Sequence, residues 1–148
     1  MDRTPSPETA GVSGSQPVRP SGGNMPVNAR VLVIEDDYAS QQTLRALLQR
    51  MGHTPVVVDR GEQALRLLES PAEVDLAISD VVMPGMSGIE FAERAHRVRP
   101  SMPVLLVTGD TDTVDSLLAR GAVALLKPYS PDTLERVLGE TLEGGRSR

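Results

Sequence analysis

The feature that most constrains the fold of this chain is a repeated alternation between short apolar runs and longer amphipathic segments. Five apolar runs occur, at 31–34, 55–58, 74–79, 103–107 and 122–126. After the first run, residues recur at the spacing of a helix face, namely Tyr38, Leu44, Leu47, Leu48 and Met51. Such alternation requires parallel strands with right-handed crossovers. The sequence therefore predicts an α/β fold, namely a doubly wound five-stranded parallel sheet with helices on both faces. We expect the strand order 2-1-3-4-5.

The two ends of the chain lack the residues that a core needs. Residues 1 to about 28 are rich in Pro, Ser and Gly, so burial cannot offset the entropy that is lost on ordering. We predict a disordered tail over 1–28, one folded domain over 29–143 and a frayed C-terminus over 144–148. The N-terminus has no apolar stretch typical of a signal peptide, and no apolar run reaches the length of a membrane span. We therefore expect a cytoplasmic protein without membrane contacts.

Composition excludes several kinds of site. The chain has no cysteine, which rules out disulfides, zinc–thiolate sites and thiol nucleophiles. Aromatic residues make up 2% of the chain and the formal net charge is −5, so both base stacking and a basic footprint for duplexes are missing. We expect no direct DNA binding. His53 and His96 have no partners that suggest catalysis, and we predict that both lie at the surface.

Polar residues follow the predicted strands at the points where these end. They are Glu35, Asp36 and Asp37 after strand one, Asp59 after strand two, Asp80 after strand three, Thr108 after strand four and Lys127 after strand five. In open α/β sheets, function collects beyond the carboxyl ends of the strands. In the order 2-1-3-4-5, strand two lies at an edge, so Asp59 is predicted to be a surface residue. For Asp37, a role in the site and a role as a helix N-cap are both open.

The remaining acids favour a magnesium site. The carboxylates of Glu35, Asp36 and Asp80, once brought together, repel one another and need a positive charge. An all-oxygen ligand set with few carboxylates suits Mg²⁺, which keeps several waters and bridges to a phosphate. A cation there would keep Asp80 ionised as a nucleophile. Lys127 is the only lysine among 15 basic residues, and its compact charge suits a phosphoryl oxygen in a crowded site. The hydroxyl of Thr108 can donate to a second phosphoryl oxygen.

Taken together, these residues give the stretch from about Ala29 to Leu142 a family likeness. It resembles the receiver domain of two-component response regulators through four motifs in order, VLVIEDD, SDVVMPGMSG, LLVTG and GAVALLKPY. The resemblance implies a flavodoxin-like domain that is not a metabolic enzyme. Such a domain catalyses only its own phosphorylation, from a phosphohistidine on a partner, and its own dephosphorylation.

The resemblance also implies a role for each matching residue. Asp80 would become the 4-aspartylphosphate, and Glu35 and Asp36 would hold Mg²⁺ with the help of the backbone carbonyl of Val82. Thr108 matches the family's switch hydroxyl, and Lys127 matches its phosphoryl-binding lysine. The expected partners are a histidine kinase or a histidine phosphotransfer protein and a downstream protein target, and homodimer formation is open.

One position departs from the family pattern. Ala124, three residues before Lys127, stands where the family often has a Tyr or Phe that moves inward on activation. Another element must then report phosphorylation, and we expect it in the weak helix over 112–119 and the face of strand five, where Tyr129 is the nearest aromatic ring.

Three alternative functions are open at this point. A degenerate receiver would bind partners without being phosphorylated, and Ala124 is compatible with that. The chain could also be the receiver fragment of a hybrid histidine kinase. A phosphatase of the haloacid dehalogenase type would use an Asp nucleophile and Mg²⁺, but it usually has a second Asp where this chain has Val82. No DNA-binding output domain is expected after Leu142, so signalling by protein–protein contact is the simplest reading.

Overall fold

The fold is described by a computed structural model over residues 28–146, with the backbone alone for 144–146. The predicted tail therefore lies outside the described residues, except for Asn28. The strands are β1 (Arg30–Ile34), β2 (Thr54–Val58), β3 (Leu76–Asp80), β4 (Val104–Thr108) and β5 (Val123–Leu126). The helices are α1 (Tyr38–Arg50), α2 (Gly61–Glu69), α3 (Gly88–Val98), α4 (Thr111–Ala119) and α5 (Pro131–Arg146). The last helix thus continues past residue 143, where the sequence predicts fraying.

The strands form one parallel sheet in the order β2-β1-β3-β4-β5. Alternate residues of β1 enter two different cores: Val31 and Val33 face one side of the sheet and Leu32 and Ile34 the other. On the first side they pack with α1 and α5 through Leu44, Leu48, Leu134 and Leu138. On the second side they pack with α2 and α3 through Ala64, Leu68, Phe91 and Ala95. The predicted fold class, strand order and placement of helices on both faces are confirmed.

Local hydrogen bonds define where the helices start. The side chain of Asp37 accepts a hydrogen bond from the backbone N–H of Ser40 at 2.9 Å, so Asp37 is the N-cap of α1. The same bond lowers the pKa of Asp37. Gly52 follows α1 with a φ of 90°, a conformation that glycine adopts without steric cost. Of the two roles considered for Asp37, the structure therefore supports the helix cap.

Two expectations about burial are wrong. His53 is only 5% exposed, and its Nδ1 atom accepts a hydrogen bond from the backbone N–H of Ala29 at 3.1 Å. This hydrogen bond joins two residues that are 24 positions apart in the sequence. No local pattern could therefore predict that His53 is buried. Tyr38, expected on the apolar face of α1, is the first residue of that helix and is 72% exposed. His96 is exposed, as predicted.

No helix within residues 28–146 is both long and apolar enough to cross a membrane.

Candidate functional site

Two neighbouring strands place the three predicted acids at one edge of the sheet. Glu35 and Asp36 directly follow β1, and Asp80 is the last residue of β3, which pairs with β1 in parallel. One carboxylate oxygen from each of the three residues lies within 4.8 Å of the other two. Glu35 is buried, Asp80 is half-buried and Asp36 is exposed. The acids therefore form a cluster with one open side.

Lys127 reaches the same cluster from the opposite half of the sheet. It follows β5, and its Nζ atom lies 2.9 Å from Oδ1 of Asp80 and 4.0 Å from Oε1 of Glu35. Its backbone N–H donates to the carbonyl of Thr108 at 2.8 Å, which fixes the residue against the end of β4. The Lys127–Pro128 peptide bond is cis. The only lysine of the chain thus forms an ion pair with the predicted phosphoacceptor.

The electrostatics of the cluster show a surplus of negative charge. Burial raises the pKa of Glu35 to about 7, together with a hydrogen bond and the charge of Asp80, while Asp37 and Lys127 act in the opposite direction. Burial lowers the pKa of Lys127, but its hydrogen bond to Asp80 and the two carboxylate charges outweigh this effect, so that the pKa is raised. One ammonium group therefore does not neutralise the cluster, and Glu35 tends to hold a proton near neutral pH.

These properties fit a hard divalent cation. The donors that converge are carboxylate oxygens, which Mg²⁺ prefers over nitrogen or sulfur ligands. The raised pKa of Glu35 marks a place where an added positive charge would be stabilising. Glu35, Asp36 and Asp80 thus form an oxygen-only donor set that is suited to Mg²⁺.

Thr108 lies at the same edge but makes a different contact. It is the last residue of β4 and is buried, and its Oγ1 atom accepts a hydrogen bond from the backbone N–H of Asp110 at 3.2 Å. Because the hydroxyl acts as an acceptor there, its own hydrogen stays available for donation. Val82, in the loop after β3, has a side chain that is 80% exposed. Its carbonyl remains a predicted ligand.

Glycine is required where α3 begins beside the acceptor. A Cβ atom on Gly88 would lie 2.0 Å from the carbonyl oxygen of Asp80, and the N–H of Gly88 donates to the carbonyl of Val81 at 2.8 Å. The hydroxyl of Ser79 donates to the Asp80 carbonyl at 2.9 Å. The backbone of the acceptor is therefore held by both neighbouring segments, and only a residue without a side chain fits at position 88.

Gln41, which no sequence pattern was taken to mark, supports the acids from α1. Its side chain is buried, and Nε2 donates to the carbonyl of Glu35 at 2.5 Å and to Oδ1 of Asp59 at 2.9 Å. A signal was present, because Gln41 precedes Leu44 and Leu48 at the spacing of the apolar face. Asp59 is exposed, as predicted, yet it takes part in this contact.

Ala124 and Tyr129 pack in different apolar clusters. Ala124 is half-buried and packs in a small cluster around Val81, Leu106 and Leu117. Tyr129 is half-buried against the larger core on the α1 and α5 side, and burial raises its pKa.

Comparisons with known proteins identify the family of the folded domain. The model of the response regulator receiver domain matches residues 31–138. The DNA-binding response regulator MtrA of Mycolicibacterium paratuberculosis is 33% identical over 108 residues, which cover 71% of this chain and 47% of that protein. The chain spans about half the length of the curated relatives that it matches.

Two solved structures of receiver domains match this chain over nearly their whole length. The signal receiver domain of an HD domain-containing protein from Pseudomonas fluorescens has a TM-score of 0.72 and 30% identity, covering 82% of this chain and 99% of that one. A CheY-like receiver domain protein from Methanospirillum hungatei has a TM-score of 0.72 and 28% identity, covering 81% and 98%. This chain therefore belongs to the response regulator receiver domains of two-component signalling, which are signalling modules and not metabolic enzymes.

Proposed function

We propose that this chain, over residues 29–143, accepts a phosphoryl group onto Asp80 from a histidine kinase or a histidine phosphotransfer protein. The reaction depends on Mg²⁺, and the phosphorylated form signals by contact with a downstream protein. The observation that carries this proposal is the 2.9 Å approach of Lys127 Nζ to Asp80 Oδ1, inside a cluster of three carboxylates. An acid that accepts a phosphoryl group needs positive charge nearby, which offsets the charge of the phosphoryl oxygens, and an open approach for the donor.

The residues of the cluster have distinct roles in the transfer, and Asp80 has two of them. Glu35, Asp36 and Asp80 would hold Mg²⁺, with the carbonyl of Val82 as a further ligand, and the ion would supply positive charge to the phosphoryl oxygens. A carboxylate oxygen of Asp80 attacks phosphorus in line, and a P–O bond forms as the P–N bond to the donor imidazole breaks. Lys127 offsets the charge on the phosphoryl oxygens. Thr108 donates its hydroxyl hydrogen to one of them.

One observation favours a second candidate function, that of a degenerate receiver which binds partners without phosphorylation. Ala124 fills a position in a small apolar cluster on β5, where a moving aromatic side chain would otherwise report the phosphoryl group. The ion pair of Lys127 with Asp80 favours the phosphoacceptor over this candidate.

The partners of the whole protein belong to the proposal. MtrA is a DNA-binding response regulator, and this chain spans about half of it, so our expectation of no direct DNA binding stays a prediction. Origin in a hybrid histidine kinase and assembly into a homodimer are open in the same way. Membership of the receiver family sets aside the haloacid dehalogenase alternative.

Incubation with acetyl phosphate and Mg²⁺, followed by intact mass measurement, tests the proposal. We expect an adduct of about 80 Da that is absent without Mg²⁺ and absent in Asp80→Asn. Asp115→Asn, which changes an exposed aspartate of α4, is the matched control and should keep the adduct. Absence of an adduct with acetyl phosphate and with phosphoramidate would favour the degenerate receiver.

A further inference from the structure

Gln41 lies in an unusual place for a polar side chain. It is 8% exposed and projects from the apolar face of α1, next to Leu44 and Leu48, which are both buried in the core. A buried amide is costly unless its donors are satisfied. Here the two acceptors are the carbonyl of Glu35 at 2.5 Å and the carboxylate of Asp59 at 2.9 Å.

The orientation of this amide follows from its neighbours. A backbone carbonyl and a carboxylate accept hydrogen bonds and cannot donate them, so the NH₂ group must face both. The flipped amide would place its oxygen against two acceptors. Gln41 therefore connects the end of β1, through Glu35, with the end of β2, through Asp59.

The far end of this connection is itself fixed. The side chain of Gln63, in the first turn of α2, accepts hydrogen bonds from the backbone N–H groups of Asp59 at 2.9 Å and Arg60 at 3.2 Å. The backbone N–H of Glu35 donates to the carbonyl of Val58 at 3.1 Å. A continuous series of hydrogen bonds thus runs from α2 through Asp59 and Gln41 to the backbone of Glu35.

The near end of this series carries the acids. Glu35 and the adjacent Asp36 supply two of the three clustered carboxylates. A second bond sets the direction of one of them, because the N–H of Asp37 donates to Oε2 of Glu35 at 3.0 Å. A shift of the Glu35 carbonyl would therefore move both acids relative to Asp80, which is anchored separately in β3.

We propose that Gln41 is a positioning residue for the cation site, and that it holds the backbone of Glu35 and Asp36 so that their carboxylates face Asp80. This inference rests on the Mg²⁺ dependence of the proposed function. Hydrogen bonds that orient metal ligands typically change metal affinity by about 10-fold to 100-fold when they are lost. Asp59 acts as the anchor of Gln41.

The test compares two glutamines that are neighbours on α1. Gln41→Leu keeps the size of the side chain and suits the apolar face, but it removes the donor. Gln42→Leu changes an exposed residue of the same helix. Backbone amide shifts in NMR titrations with MgCl₂ give the dissociation constant for Mg²⁺ of the folded protein, and urea unfolding gives stability separately. We expect Gln41→Leu to raise the Mg²⁺ dissociation constant about tenfold and Gln42→Leu to leave it unchanged.

A kinetic measurement separates positioning from a purely structural role. With acetyl phosphate as donor, Gln41→Leu should raise the half-saturating Mg²⁺ concentration by a similar factor and keep most of the rate at saturating Mg²⁺. Reduced stability together with an unchanged Mg²⁺ dissociation constant would mean that Gln41 is only structural, and would overturn the inference.

A second pair of variants covers the case in which Gln41→Leu does not fold. Asp59→Asn removes the charge of the anchor and keeps an acceptor oxygen, whereas Asp59→Ala removes both. We expect Asp59→Ala to weaken Mg²⁺ binding more than Asp59→Asn does, and equal dissociation constants would contradict the inference. A wild-type protein whose amides do not respond to Mg²⁺ would overturn the proposed function and this inference with it. Binding that is normal in wild type and in Gln41→Leu would overturn the inference alone.

Discussion

The polar side chains at the two ends of the sheet have opposite surroundings. At the amino end, His53 accepts the N–H of Ala29 and the Asp75 carboxylate accepts the N–H of Arg30 at 2.8 Å, so neutral backbone donors pair these groups. At the carboxyl end, Glu35, Asp36 and Asp80 crowd together with the one ammonium group of Lys127. The contacts at the amino end satisfy backbone donors, whereas the carboxyl end has a surplus of negative charge that a bound cation would remove. We therefore expect substitutions at the amino end to change stability alone, and substitutions at the carboxyl end to change Mg²⁺ binding and phosphorylation.

The largest effect that we expect at the carboxyl end comes from Lys127. Lys127→Ala should slow phosphorylation by acetyl phosphate about a hundredfold, because a charge positioned on the developing phosphoryl oxygens is lost. Lys127→Arg keeps the charge but has a broader head group, so its phosphorylation rate should lie between the rates of the wild type and of Lys127→Ala. The rate of adduct formation, followed by mass, measures this. A Lys127→Ala protein with the wild-type rate would show that the ion pair with Asp80 is structural.

The next effect tests how firmly the acceptor backbone is held. Gly88→Ala should destabilise the protein by about 1–3 kcal/mol, because the added Cβ would lie 2.0 Å from the Asp80 carbonyl oxygen. Gly109→Ala is the matched control, since a Cβ there meets nothing within 4 Å. Urea unfolding of the two variants compares them. Equal stabilities would mean that α3 can move away from the acceptor at little cost.

The amino end should respond in stability alone. His53→Ala is expected to lower the free energy of unfolding by about 1–3 kcal/mol, because the N–H of Ala29 loses its acceptor and a buried ring is removed. The Mg²⁺ dissociation constant should not change. His96→Ala, at an exposed position, should alter neither quantity. A change in Mg²⁺ affinity in His53→Ala would break the division between the two ends.

The smallest effect is a pH dependence that only the carboxyl end should show. The pKa of Glu35 is raised from 4.5 to about 7 in the folded chain, so the folded state binds more protons than the unfolded state between these values. The stability contributed by this proton is fully present below pH 4.5 and is lost as pH rises through about 7.

The sign of the magnesium effect follows from this. Without Mg²⁺, stability should fall by about 1 kcal/mol between pH 6 and pH 8 through this group. Bound Mg²⁺ needs the ionised carboxylate, so the stabilisation on adding Mg²⁺ should be larger at pH 8 than at pH 6. Thermal unfolding at both pH values, with MgCl₂ and with EDTA, measures it. Stabilisation by Mg²⁺ that is equal at both values would mean that Glu35 does not bind the ion through its ionised carboxylate.

Local sequence patterns predicted much of the fold. The run VLVI predicted a strand buried on both sides, and in the structure its alternate residues do enter two cores. The strand order then explains why residues as distant in sequence as Glu35 and Lys127 come within 4.0 Å of each other. The roles proposed for Asp80, Thr108 and the carbonyl of Val82 were expected from the family motifs, and they stay predictions.

The sequence by itself determined the periodicity, the parallel α/β architecture and the set of acids at the strand ends, because spacing and residue type are local properties of the chain. Only the tertiary structure decided that His53 is buried and that Gln41 joins the ends of β1 and β2. Both depend on which polar group lies opposite a side chain once distant segments pack together. A hydrogen-bond partner 18 or 24 residues away leaves no periodic signal, so a polar residue on an apolar helix face shows its purpose only in the folded molecule.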